Sequence, residues 1–440
     1  MKATRIIKSK NLNQGKYKQL EQQAEQLANI RSVIWHDFGS ISGAVIKSDR
    51  QIRDQWLKEK RQFKVSANAW KETLRDSFGD IKAYREAAKE KVRKIIYKKT
   101  KRPIEFYNKL KSEQWITDNY LRRLMRKHWK HGKNHTNNQI IVRSDNYTTF
   151  QQGGRAWIKI PSLQKGKRIP IPLNTTIEPS GTLRLILNDG IVSVHYTINI
   201  KETKNCGNAT VGIDKGYTEV FMDSDGVEYG KGLGKILTKK SDQLKQKYQK
   251  RNKLKAISNK KPHKKQNIID NNLGRKKLNR QANKTKSQVQ DIIYQATHQL
   301  VDKAEFIAAE DLTSPIAGKR FGKNVSRRLS SWTKGMIATA LDTVSRRRGS
   351  LVILVNSAYT SQMDSRYGIL KGKRSGDSFH CFDGVVLQAD ENAARNVQAR
   401  LHDPEIDRWT PYQKVKSILL KRTELHRLGL LNPDSSCNLS

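Results

Sequence analysis

Three acids stand where a carboxylate is costly. Asp214 closes the apolar run Ala209-Thr210-Val211-Gly212-Ile213, just ahead of Lys215 and Gly216. Glu310 and Asp311 end a second apolar run, Ala304-Glu305-Phe306-Ile307-Ala308-Ala309. Asp390 opens Asp390-Glu391-Asn392-Ala393-Ala394-Arg395-Asn396-Val397, whose small alanines suit a helix packed closely on a sheet. An acid in or beside an apolar strand must be paired, protonated or bound to a cation. Three that converge cannot all stay ionised without positive charge among them. Two Mg2+ ions, or Mn2+ in their place, would neutralise Asp214, Glu310 and Asp390 and clamp a phosphodiester. One ion would activate water and the other would stabilise the leaving 3′ oxygen. Each acid also has a plainer reading. Asp214 is an acid near a strand end, and Asp390 sits where a helix N-cap belongs. Glu310 and Asp311 are adjacent, so on a strand they point to opposite faces. Glu310 is taken as the ligand, and a helix cap suits Asp311.

The elements that would position these acids alternate between strand and helix. Strands are expected at about 209–215, 217–223, 227–231, 305–310 and 350–355, with a turn at Asp225-Gly226. Helices are expected near 287–304, 331–348 and 391–401. Together they give an RNase H-like mixed α/β sheet. The helix before Glu310 is amphipathic, with Val289, Ile292, Ile293, Ala296, Leu300 and Ala304 on one face. Helix 331–348 puts Met336, Ile337, Ala340, Leu341 and Val344 on one face. It ends in Arg346-Arg347-Arg348, which suits either the helix dipole or contact with DNA.

The rest of the chain divides by texture. Residues from about 15 to 133 are helical in pattern: Lys16–Asn29 and Asp80–Lys99 lack proline and are rich in Glu, Lys, Gln and Ala. Trp35, Trp56, Trp70, Trp115 and Trp129 lie there, as core residues or as stacking surfaces for bases. From about 136 to 202 the texture turns to strands, with Ile140-Ile141-Val142, Ala156–Ile160 and Ile169–Leu173 as short apolar runs. Thr182–Leu187 and Ile191–Ile200 flank Asn188-Asp189-Gly190, a hairpin turn. A small β-barrel follows from that pattern. Between Lys239 and Lys286 stand 18 Lys or Arg and two acids, Asp242 and Asp270. That stretch reads as a solvated helical hairpin or as an arm that grips phosphates, and the repulsion within it favours the arm. Its contacts would include Lys239, Lys240, Lys250, Arg251, Lys264, Lys265, Arg275, Lys276 and Lys277. A second basic patch is Lys371, Lys373 and Arg374.

Charge supports that assignment. The 440 residues hold 86 Lys and Arg against 41 Asp and Glu, a net charge of +45. Such a surplus repels itself unless it meets a polyanion, and it favours phosphates of any sequence. The length suggests two or three domains. The three cysteines, Cys206, Cys381 and Cys437, form no CxxC pair, so no disulfide framework is expected and a reducing cytoplasm fits. No apolar run is long enough to span a membrane, and the start of the chain has no secretory pattern. A cytoplasmic, nucleoid-associated protein is expected.

The motifs Gly212-Ile213-Asp214-Lys215-Gly216, Ala309-Glu310-Asp311-Leu312 and Asp390–Val397 resemble the three RuvC motifs of TnpB, the transposon-encoded ancestor of type V CRISPR effectors. Tyr359-Thr360-Ser361-Gln362 resembles a stretch that this family places before a zinc-binding insertion. The resemblance covers about 209–400, and elsewhere it is one of layout. It implies an RNA-guided DNA endonuclease, with Asp214, Glu310 and Asp390 as catalytic acids and with guide RNA and target double-stranded DNA as partners. It implies a multidomain α+β chain. Residues 1–14 are the first strand of a wedge β-barrel, 15–135 a helical recognition lobe and 136–205 the rest of the wedge. Residues 206–402 form a RuvC nuclease domain, with a basic helical insertion at 237–304 and a degenerate zinc-finger-like insertion at 357–386 that would bind the target strand. A tail runs from 403 to 440. The family's two CxxC knuckles fall here on Asp364, Tyr367, His380 and Asp383, with Cys381 out of register, so structural zinc is not expected. Phe379, Phe382 and Tyr367 would hold that loop. A compact type V effector, an RNA-guided repressor without efficient cleavage and a guide-free RuvC-type nuclease remain as alternatives.

Overall fold

The computed structural model describes residues 2–46, 48–99, 103–200, 204–312 and 333–430. Cys437, the end of the tail and the expected start of a helix at 331–332 lie outside these residues. The chain divides into two compact units, Met1–Ile200 and Lys201–Ser440.

In the first unit, β1 (Lys2–Lys8) leads into five helices: α1 (Gln14–Phe38), α2 (Asp49–Lys58), α3 (Ala67–Lys99), α4 (Pro103–Lys111) and α5 (Asn119–His128). The chain then returns to strands β2 (Gln139–Val142), β3 (Thr148–Gln152), β4 (Arg155–Pro161), β5 (Arg168–Pro172), β6 (Leu183–Asn188) and β7 (Ile191–Asn199). Asn13 and Ser48 cap α1 and α2, and Gln51 returns the bond at Ser48 to complete a capping box. The strands form two open sheets, ordered β1-β7-β6-β2 and β3-β4-β5, joined by a bridge between Ser9 and Leu173. Neither described sheet closes on itself, so the expected barrel appears as two open sheets. The β6–β7 hairpin turns on Asp189 and Gly190, both at positive φ. That geometry follows the strands' right-handed twist. Strand β3 escapes the sequence pattern, because Thr148–Gln152 holds one large apolar residue, Phe150. Trp56, Trp70, Trp115 and Trp129 are buried in the core, and Trp35 packs against it. The core reading of these tryptophans therefore holds over the base-stacking one.

The second unit is built on a mixed sheet ordered β10-β9-β8-β11-β12. Its strands are β8 (Ala209–Asp214), β9 (Phe221–Asp223), β10 (Glu228–Tyr229), β11 (Ala304–Glu310) and β12 (Leu351–Val355). β8, β9 and β10 form an antiparallel meander, and β11 joins parallel to both β8 and β12. The strand expected at 217–223 is shorter than the pattern suggests. Tyr217–Val220 is irregular, and only Phe221–Asp223 pairs. Helices α6 (Leu233–Lys260), α7 (Pro262–Asn272) and α8 (Lys276–Lys303) lie between β10 and β11. α9 (Lys334–Arg348) precedes β12. A three-stranded sheet of β13 (Gly372–Ser375), β14 (Ser378–Cys381) and β15 (Val386–Gln388) leads directly into α10 (Ala389–Ala399), and α11 (Tyr412–Arg427) ends the described chain.

The apolar face of α8 is buried through Val289, Ile293, Ala296 and Leu300 against the sheet core, with Ile292 at its margin. In α9, Ile337, Ala340, Leu341 and Val344 are buried in the same core. Arg348 is consumed structurally: it donates to the backbone carbonyls of Lys204, Asn205 and His298 and pairs with Asp302.

One close approach decides where α10 lies. A Cβ on Gly212 would stand 2.2 Å from the Ala394 carbonyl oxygen and 2.5 Å from the Gln398 amide nitrogen. The helix backbone thus rests directly on β8, and only glycine fits there. Gln398 also donates to the Thr210 carbonyl, and Arg395 to that of Ser224. Gly212→Ala is expected to lower stability by about 1–3 kcal/mol, the usual cost of overpacking. Its urea midpoint should fall with the m-value unchanged; an unmoved midpoint would mean that α10 stands off the sheet.

Candidate active site

The parallel pairing of β8 and β11 sets Ile213 beside Ala309, so Asp214 and Glu310 emerge from neighbouring strands at the same, carboxyl, end. That end of a mixed α/β sheet is where ligands commonly bind. Asp390 reaches the same place from the first turn of α10. It is not the N-cap: the Gln388 side chain takes that role by accepting from the Glu391 amide. Asp390 is thereby free of the capping duty that the sequence allowed it.

The Asp214 carboxyl feels the other two. Burial, first, and then the negative charges of Glu310 and Asp390 push the Asp214 carboxyl well above its ordinary range. Asp390 lies within hydrogen-bonding reach of it. Glu310 is also pushed up by burial, and this is opposed by a hydrogen bond from the Thr360 hydroxyl and by the charges of Lys215 and Arg374. Thr360 donates to Glu310 Oε1 at 2.5 Å and is itself buried. Lys215 donates to the Glu310 backbone carbonyl at 2.8 Å, tying the two strand ends together. A fourth acid, Glu219, sits close by in the irregular turn, and burial, then Asp390 and Glu228, lift its carboxyl to about 7.

Positive charge is supplied from β13. Arg374 donates to Asp390 Oδ1 at 2.5 Å, and its charge acts on Asp214 and Glu310 as well. The sequence reading placed Arg374 on phosphate; in this structure it neutralises the acids. Among the described residues, no three His, Cys, Asp or Glu side chains are gathered about one point as an ion's ligands. The donor chemistry nevertheless suits a hard divalent cation, since all the groups are carboxylates. Arg374 shows that the spot draws positive charge.

The surrounding loop is fastened to the same helix. Asn392 accepts from the Ser365 amide and donates to the Met363 carbonyl, and Asn396 donates to the carbonyls of Thr360 and Met363. Both asparagines are buried and lie four residues apart, on one helix face. Asp311, read as a helix cap, instead accepts from Arg408 at 2.7 Å. Asp223 shows the contrast with the site acids. It is fully buried, yet Lys303 and Tyr229 satisfy it.

The knuckle positions do not fit zinc. The Arg366 guanidinium takes both carboxylates, donating to Asp364 through Nε at 3.0 Å and Nη2 at 2.6 Å, and to Asp383 through Nη1 and Nη2 at 2.9 Å each. Tyr367 packs against Phe382 and His426. The Cys381 thiol, pushed up to about 11 by burial and then by Asp364, stays protonated at neutral pH. Phe379 is buried beneath this loop, and Lys371 lies over the Phe382 ring.

The basic arm is exposed at Lys239, Lys250, Lys264, Lys265, Arg275, Lys276 and Lys277, and Lys240 is half-buried. Lys373 is exposed on β13. The Arg251 guanidinium donates to the carbonyls of Asn272, Leu273 and Gly274 and holds the α7–α8 turn. Sequence reasoning missed Lys215, Glu219, Arg366, Asn392 and Asn396 as parts of this site. Only the two asparagines carried a signal, their four-residue spacing in a helix of alanines.

Residues 335–397 match the family model described as Cas12f1-like, TNB domain, which bears out the type V resemblance over that stretch. No curated protein matches the chain. Among solved structures the chain is similar to "Cryo-EM structure of the Cas12f1-sgRNA-target DNA complex", at 13% identity and a TM-score of 0.43 over 92% of this chain and 99% of that one. It is also similar to "Crystal structure of AacC2c1-sgRNA binary complex", at 10% identity and a TM-score of 0.36 over 91% of this chain and 74% of that one.

Three outcomes test this geometry. Asp214→Asn removes a carboxylate from among its like and should raise metal-free stability by about 0.5–2 kcal/mol, the usual trade of function for stability. A lower melting temperature would contradict the convergence. Arg366→Met leaves the Asp364 carboxylate buried without its partner and should cost about 3–5 kcal/mol, as lost amide-exchange protection in 363–388. With Mg2+ held in excess, a zinc-selective chelator should leave the melting temperature of the unaltered protein unchanged; a drop would restore zinc to the knuckle.

Proposed function

We propose that this chain is an RNA-guided DNA endonuclease that hydrolyses phosphodiesters at Asp214, Glu310 and Asp390. The observation that carries the reading is the meeting of carboxylates from β8, β11 and α10, where burial and then the charges of Glu310 and Asp390 hold the Asp214 carboxyl well above its ordinary range. Asp223, by contrast, is fully buried and satisfied by Lys303 and Tyr229. The match to a Cas12f1-like TNB domain and the net charge of +45 support guide and target as partners: guide RNA and double-stranded DNA. In this reading residues 1–14 and 136–205 are a wedge, 15–135 a recognition lobe and 206–402 an RNase H-like nuclease domain. Lys264, Lys265, Lys276 and Lys277 on the arm would meet phosphates.

Asp214, Glu310 and Asp390 would hold Mg2+, which supplies Lewis acidity and activated water when bound. The chain's own groups do the positioning. Thr360 fixes the direction of the Glu310 carboxylate, and Lys215 fixes the strand end that carries it. Asn392 and Asn396 hold the 360–365 loop against α10, so Glu310 and Asp390 keep their spacing. Arg374 neutralises Asp390 in this structure, and its guanidinium would be free for an anionic phosphate if Asp390 held a cation instead.

The test is to express the protein with its native flanking DNA, sequence any RNA that co-purifies, and assay plasmid cleavage with Mg2+. One RNA with a fixed scaffold and a variable end is expected. Asp214→Ala should abolish cutting while retaining that RNA. Heterogeneous RNA that washes off in salt would favour a guide-free nuclease. A defined RNA with no cutting by the unaltered protein would favour an RNA-guided repressor.

A further inference from the structure

The segment after α10 presents an aromatic surface that folding does not explain. Trp409 is 76% exposed and Tyr412 58% exposed, which is unusual for large apolar rings. Neither is loose. The turn that carries Trp409 is closed by Asp407, whose carboxylate accepts from the Trp409 amide and the Thr410 hydroxyl, both at 2.8 Å. The buried Asn356 amide donates to the carbonyls of Asp407 and Thr410 at 3.1 and 2.9 Å, fastening the turn to the end of β12. Arg408, held on Asp311 at 2.7 Å, lies over the Trp409 ring with its guanidinium carbon 4.6 Å from the ring centroid. Tyr412 stacks on Tyr359, with ring centroids 4.6 Å apart and planes 25° from parallel. Tyr359 itself sits at φ 65°, a backbone conformation that costs a tyrosine about 1–2 kcal/mol and tends to persist at functional sites.

This surface is tied to the acid cluster at three points. Asp311, the anchor of Arg408, follows Glu310. Asn356 follows Val355, the register partner of Glu310. Tyr359 precedes Thr360, which donates to Glu310. Rigid, exposed rings held beside a phosphodiester-cleaving site suit the flat faces of unpaired bases, since every base offers a π-face. The charge around them agrees: Lys414 and Lys416 are exposed on the first turns of α11. We propose that Trp409 and Tyr412, braced by Arg408 and Tyr359, form a stacking platform that receives unpaired bases of a single strand as it reaches Asp214, Glu310 and Asp390. The proposal deepens the nuclease reading and rests on it for the direction of the strand, but base stacking can be measured without cleavage.

The experiment uses the full chain in chelator and about 0.5 M NaCl, where phosphate contacts are weakened. It compares a fluorescent twelve-thymidine strand with the same strand made abasic, so that charge is equal and only the bases differ. The unaltered protein should bind the thymidine strand about tenfold more tightly. Trp409→Ala with Tyr412→Ala should remove most of that preference, and Trp409→Phe should retain it, all with unchanged melting temperatures. Equal binding of the two strands, or a preference that survives the double substitution, overturns the platform. So does a concentration-dependent mass that the double substitution abolishes, which would make the surface a contact between copies of the chain. Because no cutting is read, failure of the nuclease reading leaves the strand comparison intact and separately scored.

Discussion

Three carboxylates held together against their own repulsion and desolvation set the terms for the second unit. Water would separate and solvate Asp214, Glu310 and Asp390; the fold brings them to one end of a sheet instead. Two of them arrive by strand register, because parallel β8 and β11 end side by side. The third arrives by a helix that rests on Gly212 without an intervening side chain. Neighbouring groups then offset the electrostatic cost. Thr360 holds Glu310 directly, Lys215 holds its backbone, and Arg374 puts a guanidinium against Asp390. A site arranged in this way is costly until positive charge offsets it, and carboxylate donors suit a hard divalent cation.

The 364–383 segment solves a related problem by other means. Arg366 bridges Asp364 and Asp383 as a fork between two carboxylates. Guanidinium suits this task because its planar donors meet two carboxylates at once, which a lysine ammonium does not do. The sheet that this clasp supports, β13-β14-β15, carries Arg374 and runs directly into α10 with Asp390. The clasp is therefore part of what places both members of that ion pair.

Much of the second unit was legible in the sequence, because its elements obey simple patterns. The apolar runs ending in Asp214 and Glu310 gave their strands, and the spacing of Val289, Ile293, Ala296 and Leu300 gave α8. The turn Asn188-Asp189-Gly190 gave the hairpin in the first unit for the same reason. What stayed hidden depends on contacts between distant residues. Charge alone marks Arg251 and Arg374 as basic but does not reveal their partners within the protein. One holds a helix turn, and the other meets Asp390. The short β9 was over-read because Tyr217–Val220 looks β-rich yet makes a turn around Gly216. Closure of the first unit's strands depends on register between β1, β2 and the β3–β5 sheet, and alternation along each strand carries no information on that.

The central claim is that Asp214, Glu310 and Asp390 form one cation site. Thermal unfolding of the unaltered protein and of Asp214→Asn, each with and without millimolar Mg2+, tests it most directly. Binding to the folded state alone must raise stability, by about 2.7 kcal/mol at a hundredfold excess over the dissociation constant. The account predicts that Mg2+ raises the melting temperature of the unaltered protein and leaves that of Asp214→Asn where it was. An equal rise in both, or none in either, would contradict it.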